Sequence, residues 1–240
     1  FSGQSCNVSV RLSDEFMNSV LKDLDWTLSG RSSEPFSTTI PAIRLWNSLC
    51  WASWFCGDPG VMFQDTIASW NTAQDTEEIK ASNPCAEFLF VDDTACNLAS
   101  LNLEKFFDGD TFLAEEFVHL CSLITIALDI SITAASYPSK TCAIKTNELR
   151  PLGVGFTNLG GALMKLAIPY DSDYARTRAS GIAALMTGAV YLTSVQLAKE
   201  LGPFKKYQQN YNSFNRVFNN HYSLVKQRTD SLNQLNIKPC

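Results

Sequence analysis

The chain has 240 residues, 45% of them hydrophobic and 18% charged, with a formal net charge of −5, a balance that is ordinary for a soluble globular protein and excludes a disordered one. That length suffices for one large domain or two small ones with a buried core. No basic stripe is present, so the electrostatic footprint of a nucleic-acid binder is missing, and any nucleotide would have to be held by a shaped pocket.

Residues 1–10 read as strand interior, do not begin with Met, and lack a charged segment followed by an apolar one. The expectation is therefore an interior piece of a longer protein, without a signal peptide. Residues 6–12 alternate as a strand, and 13–24 follow as a helix with Ser13 as N-cap and Asp14 and Glu15 in its first turn. The stretch 34–41, "EPFSTTIP", reads as a loop. Residues 42–55 are apolar at helical spacing (Ile43, Leu45, Trp46, Leu49, Cys50), and "GDPG" at 57–60 ends them as a turn. Residues 61–65 read as a short strand.

The segment 81–103 has loop character up to Pro84 and mixed extended character beyond it. Asp108-Gly109-Asp110 turns into a long helix over about 112–136, apolar around much of its circumference and so expected to be well buried, closed by Pro138. Residues 150–169 read as a short strand and a helix. A further long helix spans 173–201, capped by Asp171 or Ser172 and stopped by Gly202-Pro203; an amphipathic helix covers 210–227. Short strands alternating with long helices predict an α/β fold with crossover connections, a single domain over 1–240. The longest apolar run, 120–128, stops at Asp129, short of the roughly 18 residues of a membrane span.

Eight cysteines and two histidines, with no C-x-x-C pair, exclude a zinc ribbon, and no metal site is expected. Cys50, Cys56, Cys121 and Cys142 read as small buried hydrophobes and His119 and His221 as ordinary helix residues. A reducing cytoplasm is the expected compartment, which makes the sequon at Asn7 accidental. "GVGFTNLGG" at 153–161 fails the dinucleotide fingerprint because Gly160 follows Gly155 by five residues instead of three. Its glycines are expected to allow close strand–helix packing.

"NPCAE" at 83–87 differs from these. Proline biases the residue before it toward extended backbone, and alternate side chains of an extended chain share a face. Asn83, Cys85 and Glu87 are thus expected to project together: an amide that can bind, a sulfur, and a carboxylate able to act as a base. A strand edge with a buried Cys and a surface Glu fits the same residues.

The triplet, a second cysteine eleven residues on at Cys96 in "DDTACNLASLNL", then "RPLGVGFTNLGGALM" and "IPYDSD", resembles the class II, adenosylcobalamin-dependent ribonucleotide reductases, and the resemblance covers most of the chain. Class I enzymes carry a similar triplet with the second cysteine further away. The resemblance implies part of a ten-stranded α/β barrel with the catalytic cysteine on a central loop. It implies adenosylcobalamin as cofactor and Cys85 as the thiyl-radical residue that takes the ribose 3′ hydrogen. Glu87 would be the base for the 3′-hydroxyl proton and Asn83 the substrate anchor. Cys96 would be one of two redox-active thiols, its partner lying outside this chain.

The implied substrate is a ribonucleotide, expected as the diphosphate. A nucleotide effector and a thioredoxin- or glutaredoxin-type reductant are the implied partners, with a homodimer allowed and neither nucleic acid nor membrane expected. A class I-type large subunit and a catalytically incomplete nucleotide-binding module are the alternatives, and the fragment alone is expected to be inactive.

Overall fold

A computed structural model describes residues 5–30 and 36–227. The first four residues of the stretch 1–10, expected as strand interior, and the first two residues of the 34–41 loop lie outside them. The chain divides into two compact units, Phe1–Asn71 with Glu78–Leu89, and Thr72–Glu77 with Phe90–Cys240.

In the first unit, β1 (Ser9–Leu12) leads into α1 (Asp14–Leu21). Ser13 is the N-cap: its Oγ accepts the Phe16 N–H at 3.1 Å, satisfying a donor that the helix leaves unpaired. α1 ends three residues before the expected position because Asp23 takes a left-handed φ of 53°. The chain then forms a hairpin of β2 (Asp25–Ser29) and β3 (Ser37–Pro41), with Trp26 opposite Ile40. The loop expected over 34–41 is thus a strand from Ser37 onward. Its Ser, Thr and Pro content suggested a turn, but β-branched Thr38, Thr39 and Ile40 pair across the sheet, and the hydroxyls of Thr27 and Thr39 lie 3.0 Å apart.

α2 (Ala42–Cys56) closes on Gly57, whose φ of 84° turns its N–H back to Ser53 O at 2.9 Å, a conformation that Gly adopts without a Cβ penalty. β4 (Gly60–Phe63) runs parallel to β1, Ser9 opposite Gly60 and Leu12 opposite Phe63. The expected strand over 61–65 stops at Phe63, where α3 (Gln64–Ser69) begins. Leu12, Phe16 and Ala42 form the core, with Trp26, Leu45, Trp46 and Leu49 packed on it. Trp26 meets Phe16 edge-on at 5.3 Å.

In the second unit, β5 (Asn97–Asn102) ends in a 3-10 turn, Leu103–Phe106, followed by the short hairpin β6 (Phe107–Asp108) and β7 (Thr111–Phe112). α4 (Ala114–Ala134) and α5 (Lys140–Leu149) carry the chain to β8 (Leu152–Thr157), which is parallel to β5. α6 (Leu159–Lys165), α7 (Asp173–Leu201) and α8 (Tyr211–Gln227) follow. α7 and α8 match their expected spans to within a residue. Ser172, not Asp171, caps α7, accepting the Ala175 N–H at 3.1 Å, while Asp171 pairs with Arg176.

Phe106, Phe112, Phe117, Cys121, Ile182 and Met186 lie at the centre of this core. α4 begins later than expected because Phe112 is used in the hairpin. It is not buried all round either: Phe117 and Cys121 are inaccessible, but Ile130 is 63% exposed. Length and composition would let α4 and α7 cross a bilayer, as they would many core helices. α4 nonetheless carries Asp129, ion-paired with Arg150, and α7 carries the buried Arg178.

Both parallel pairs are joined through helices, the crossover that parallel strands require. The architecture is mixed α/β. Among the described residues each sheet has two strands and no closed barrel forms.

Candidate active site

The approach to "NPCAE" is anchored by Arg11 of β1, whose guanidinium donates to the main-chain oxygens of Ile79, at 2.7 Å, and Lys80. The chain then reverses instead of extending. The Ala86 N–H donates to Asn83 O at 3.1 Å and Ala86 has a φ of 64°, so residues 83–86 are a turn. Asn83 closes it twice: its N–H donates to Phe88 O at 3.3 Å, and its Oδ1 accepts the Phe88 N–H at 3.0 Å.

The expected extended alternation is therefore corrected. Pro84 does bias Asn83, but Asn followed by Pro is also turn chemistry: Pro presets the second position, and Asn can bond to main-chain groups further along. With Ala86 left-handed, the period-two rule does not reach from Asn83 to Glu87. The three residues still share one short loop. Cys85 is at its turn, exposed, with a free thiol; Glu87 is exposed and Asn83 half-buried.

Cys96 belongs to the second unit, half-buried just before β5. The residues on either side of it are fixed. The Ala95 N–H donates to Thr146 Oγ1 at 2.9 Å, and Asn97 Nδ2 donates to Leu128 O at 3.1 Å and to Ser131 Oγ at 2.7 Å. Gly153 of β8 faces Leu98 across the strand pair. A Cβ on Gly153 would stand 3.1 Å from Cys96 Sγ and would overlap Leu98 Cδ2. The close approach allowed by this glycine is thus between strands, not between strand and helix as expected.

Cys121 and Cys142 are buried as expected, and burial pushes the Cys121 thiol up to about 11. Cys50 and Cys56 are instead exposed. The apolar stripe on α2 is wider than the face that packs, and Trp54 on the same helix is 81% exposed. His119 is exposed on α4. His221 lies on α8 beside Tyr191, ring centroids 5.7 Å apart, with its pKa lowered by burial. Sequence reasoning missed α5 and hence Thr146. The signal was available in Ser139, whose Oγ accepts the Cys142 N–H at 3.1 Å as an N-cap.

Residues 1–236 match the family model described as "Ribonucleotide reductase, barrel domain". The chain is 42% identical over 240 residues to the vitamin B12-dependent ribonucleotide reductase of Bradyrhizobium diazoefficiens, an alignment covering 99% of this chain and 19% of that protein. It is 40% identical over 240 residues to the Agrobacterium fabrum protein of the same name, with the same coverage. Identity is 29% over 198 residues to the vitamin B12-dependent ribonucleoside-diphosphate reductase of Mycobacterium tuberculosis, covering 82% of this chain and 29% of that one. The chain spans about a fifth of the length of the first two relatives. A match that runs through both units and takes in the Asn83 turn and the Cys96 strand end identifies this chain as a member of the ribonucleotide reductase family, corresponding to its barrel domain.

Proposed function

We propose that residues 1–240 are one portion of the catalytic barrel domain, ten-stranded when complete, of an adenosylcobalamin-dependent ribonucleotide reductase, and that the loop carrying Cys85 runs inside that barrel. The observation that carries this reading is an exposed, unpaired thiol on a turn closed by two Asn83–Phe88 hydrogen bonds, within a family match over nearly the whole chain.

The residues present suit the cofactor. Cobalamin brings its cobalt in its own ring and asks of the protein a reachable, reduced sulfur, which Cys85 offers. When bound, adenosylcobalamin supplies removal of the hydrogen atom from the Cys85 thiol. The Cys85 sulfur then takes the 3′ hydrogen of the ribose, and Glu87 accepts the 3′-hydroxyl proton. Asn83 has its Oδ1 committed to the Phe88 N–H; its Nδ2 donates to the substrate and holds it in the reacting geometry. Cys96 and a second thiol together release two electrons and two protons and close a disulfide. The 2′-hydroxyl leaves as water with one of those protons, the two electrons and the other proton supply the new C2′ hydrogen, Cys85 returns its hydrogen to C3′, and Glu87 returns the 3′-hydroxyl proton.

The diphosphate is the proposed substrate, in keeping with the name of the Mycobacterium tuberculosis relative. A thioredoxin- or glutaredoxin-type protein re-reduces the cysteine pair by thiol–disulfide exchange. A nucleotide effector, a homodimer and a cytoplasmic setting complete the reading.

The test is deoxynucleotide formation by the full-length parent with adenosylcobalamin. Cys85→Ser should remove activity by about a thousandfold or more, since a residue that carries the reaction cannot be bypassed; unchanged turnover would overturn the assignment. The 240-residue chain alone is expected to form no product, and measurable product from it would refute that part.

A further inference from the structure

Cys96 is held in a way that its neighbours in sequence do not explain. On one side, the Ala95 N–H is tied to Thr146 Oγ1, a residue with no solvent exposure. On the other, the Asn97 amide is tied to α4 through Leu128 O and Ser131 Oγ. In a third direction the sulfur lies over Gly153, whose missing side chain leaves the space that Sγ borders. The hydrogen bond from the sulfur to Asn97 O is long, 3.7 Å. The main chain on both sides of the thiol is fixed, and Gly153 presents no side chain to the sulfur. A thiol that must break one bond and form another needs this combination, because exchange requires the attacking, central and leaving sulfurs to approach a line.

We infer that Gly153, Thr146 and Asn97 are positioning residues for the Cys96 thiol: Thr146 and Asn97 fix its backbone, and Gly153 keeps open the space through which it meets its partner sulfur. This rests on the reading of Cys96 as a redox thiol. None of the three residues touches substrate in this role.

Substitutions at these sites act in opposite directions. Gly153→Ala sets a methyl about 3.1 Å from Sγ. The overlap with Leu98 is relieved by rotation of that side chain, which is 62% exposed, so the fold survives and the sulfur is crowded. Thr146→Val keeps the shape of the buried side chain but removes the acceptor for the Ala95 N–H, so the segment opens more often. Thr146→Ser keeps the acceptor.

The experiment is iodoacetamide labelling of the reduced full-length enzyme, with each cysteine followed by peptide mass spectrometry. Gly153→Ala should slow Cys96 labelling roughly fivefold or more through crowding. Thr146→Val and Asn97→Ala should speed it roughly tenfold, as expected for loss of a partly buried hydrogen bond. Thr146→Ser should label at the parent rate, and Cys85, as internal reference, should not change. Equal Cys96 rates in Gly153→Ala and the parent, or equal rates in Thr146→Val and Thr146→Ser, would overturn the inference. Should Gly153→Ala misfold, shown by labelling of Cys121 and Cys142, the Val/Ser comparison decides. The underlying reading is tested separately by Cys96→Ser in a single turnover of pre-reduced enzyme. Full product yield there would sink the redox role of Cys96 and leave the labelling result standing as geometry alone.

Discussion

Arg150 ends α5 in the left-handed conformation, φ 49° and ψ 52°, and from there grips Asp129 of α4. Its Nε donates to Asp129 Oδ1 at 2.7 Å and its Nη2 to Asp129 O at 2.6 Å. One residue thus stops a helix and ties it to another, immediately before β8 begins. The pair is mostly shielded, its side chains 24% and 20% exposed. Arg150→Ala should cost about 2 kcal/mol, less than a fully buried pair because solvent reaches part of it. Arg150→Gly loses the same pair but relieves the left-handed backbone, and should recover about 1 kcal/mol of that loss. Urea unfolding midpoints of the two variants should fall in that order, and a reversed order would contradict this account of the cap.

Phe117 is inaccessible and meets Phe106 and Phe112 edge-on, at 5.1 and 5.2 Å between ring centroids. Phe117→Ala should destabilise by about 4 kcal/mol, combining lost burial with the cavity left behind, and Phe117→Leu by roughly half as much. Denaturant titration gives both values, and a loss under about 1 kcal/mol for the alanine variant would place Phe117 outside the second unit's core.

Thiol labelling should separate the cysteines by environment. Cys85 is exposed, whereas Cys121 is inaccessible and its thiol is pushed up to about 11 by burial. Since the thiolate is the reacting form, the folded 240-residue chain near pH 8 should lose Cys85 quickly and keep Cys121 until it unfolds. Mass spectrometry after timed quenching reads this directly; early labelling of Cys121 would mean that α4 is not packed as described.

Asn83 is assigned two jobs that substitution can separate. Asn83→Ala removes the acceptor of the Phe88 N–H, so that amide should exchange hydrogen faster and activity in the full-length enzyme should fall about a hundredfold through misplacement. Asn83→Asp keeps an acceptor there but loses the amide donors. Its Phe88 amide should stay protected while activity still falls. Parent-like activity in Asn83→Asp would remove the substrate-anchoring role and leave the structural one.

Burial lowers the His221 pKa, so the folded state favours the neutral ring. Its contribution is complete above the unfolded value of about 6.5 and is lost as pH falls from there through the lower folded value. His221→Phe should therefore narrow the stability difference between pH 7.5 and pH 5.5. Unchanged pH dependence in that variant would show that the ring is not buried in solution.

The Asn83 turn shows where reading residues in order stops being enough. Asn-Pro is compatible with extension and with reversal, and the hydrogen bonds that choose reversal go to Phe88, beyond the motif itself. Cys50 and Cys56 failed for a related reason: helical spacing says which residues share a face, but not how much of that face finds a partner.

What the sequence determined by itself is the set of features whose forces act within a few residues. Ser13 and Ser172 begin helices through hydrogen bonds to the third residue on, Gly57 ends one through its own φ, and the spans of α2, α7 and α8 follow from spacing and stop residues. The triplet, its distance to Cys96 and the blocks at 150–164 and 168–173 likewise carried the family resemblance. Tertiary structure decided what depends on residues far apart in the chain: the parallel pairing of β1 with β4 and of β5 with β8, and the setting of Cys96. Thr146 reaches Ala95 from 51 positions away. A hydrogen bond or a close approach over that distance exists only once folding has brought the segments together, and local propensity carries no information about it.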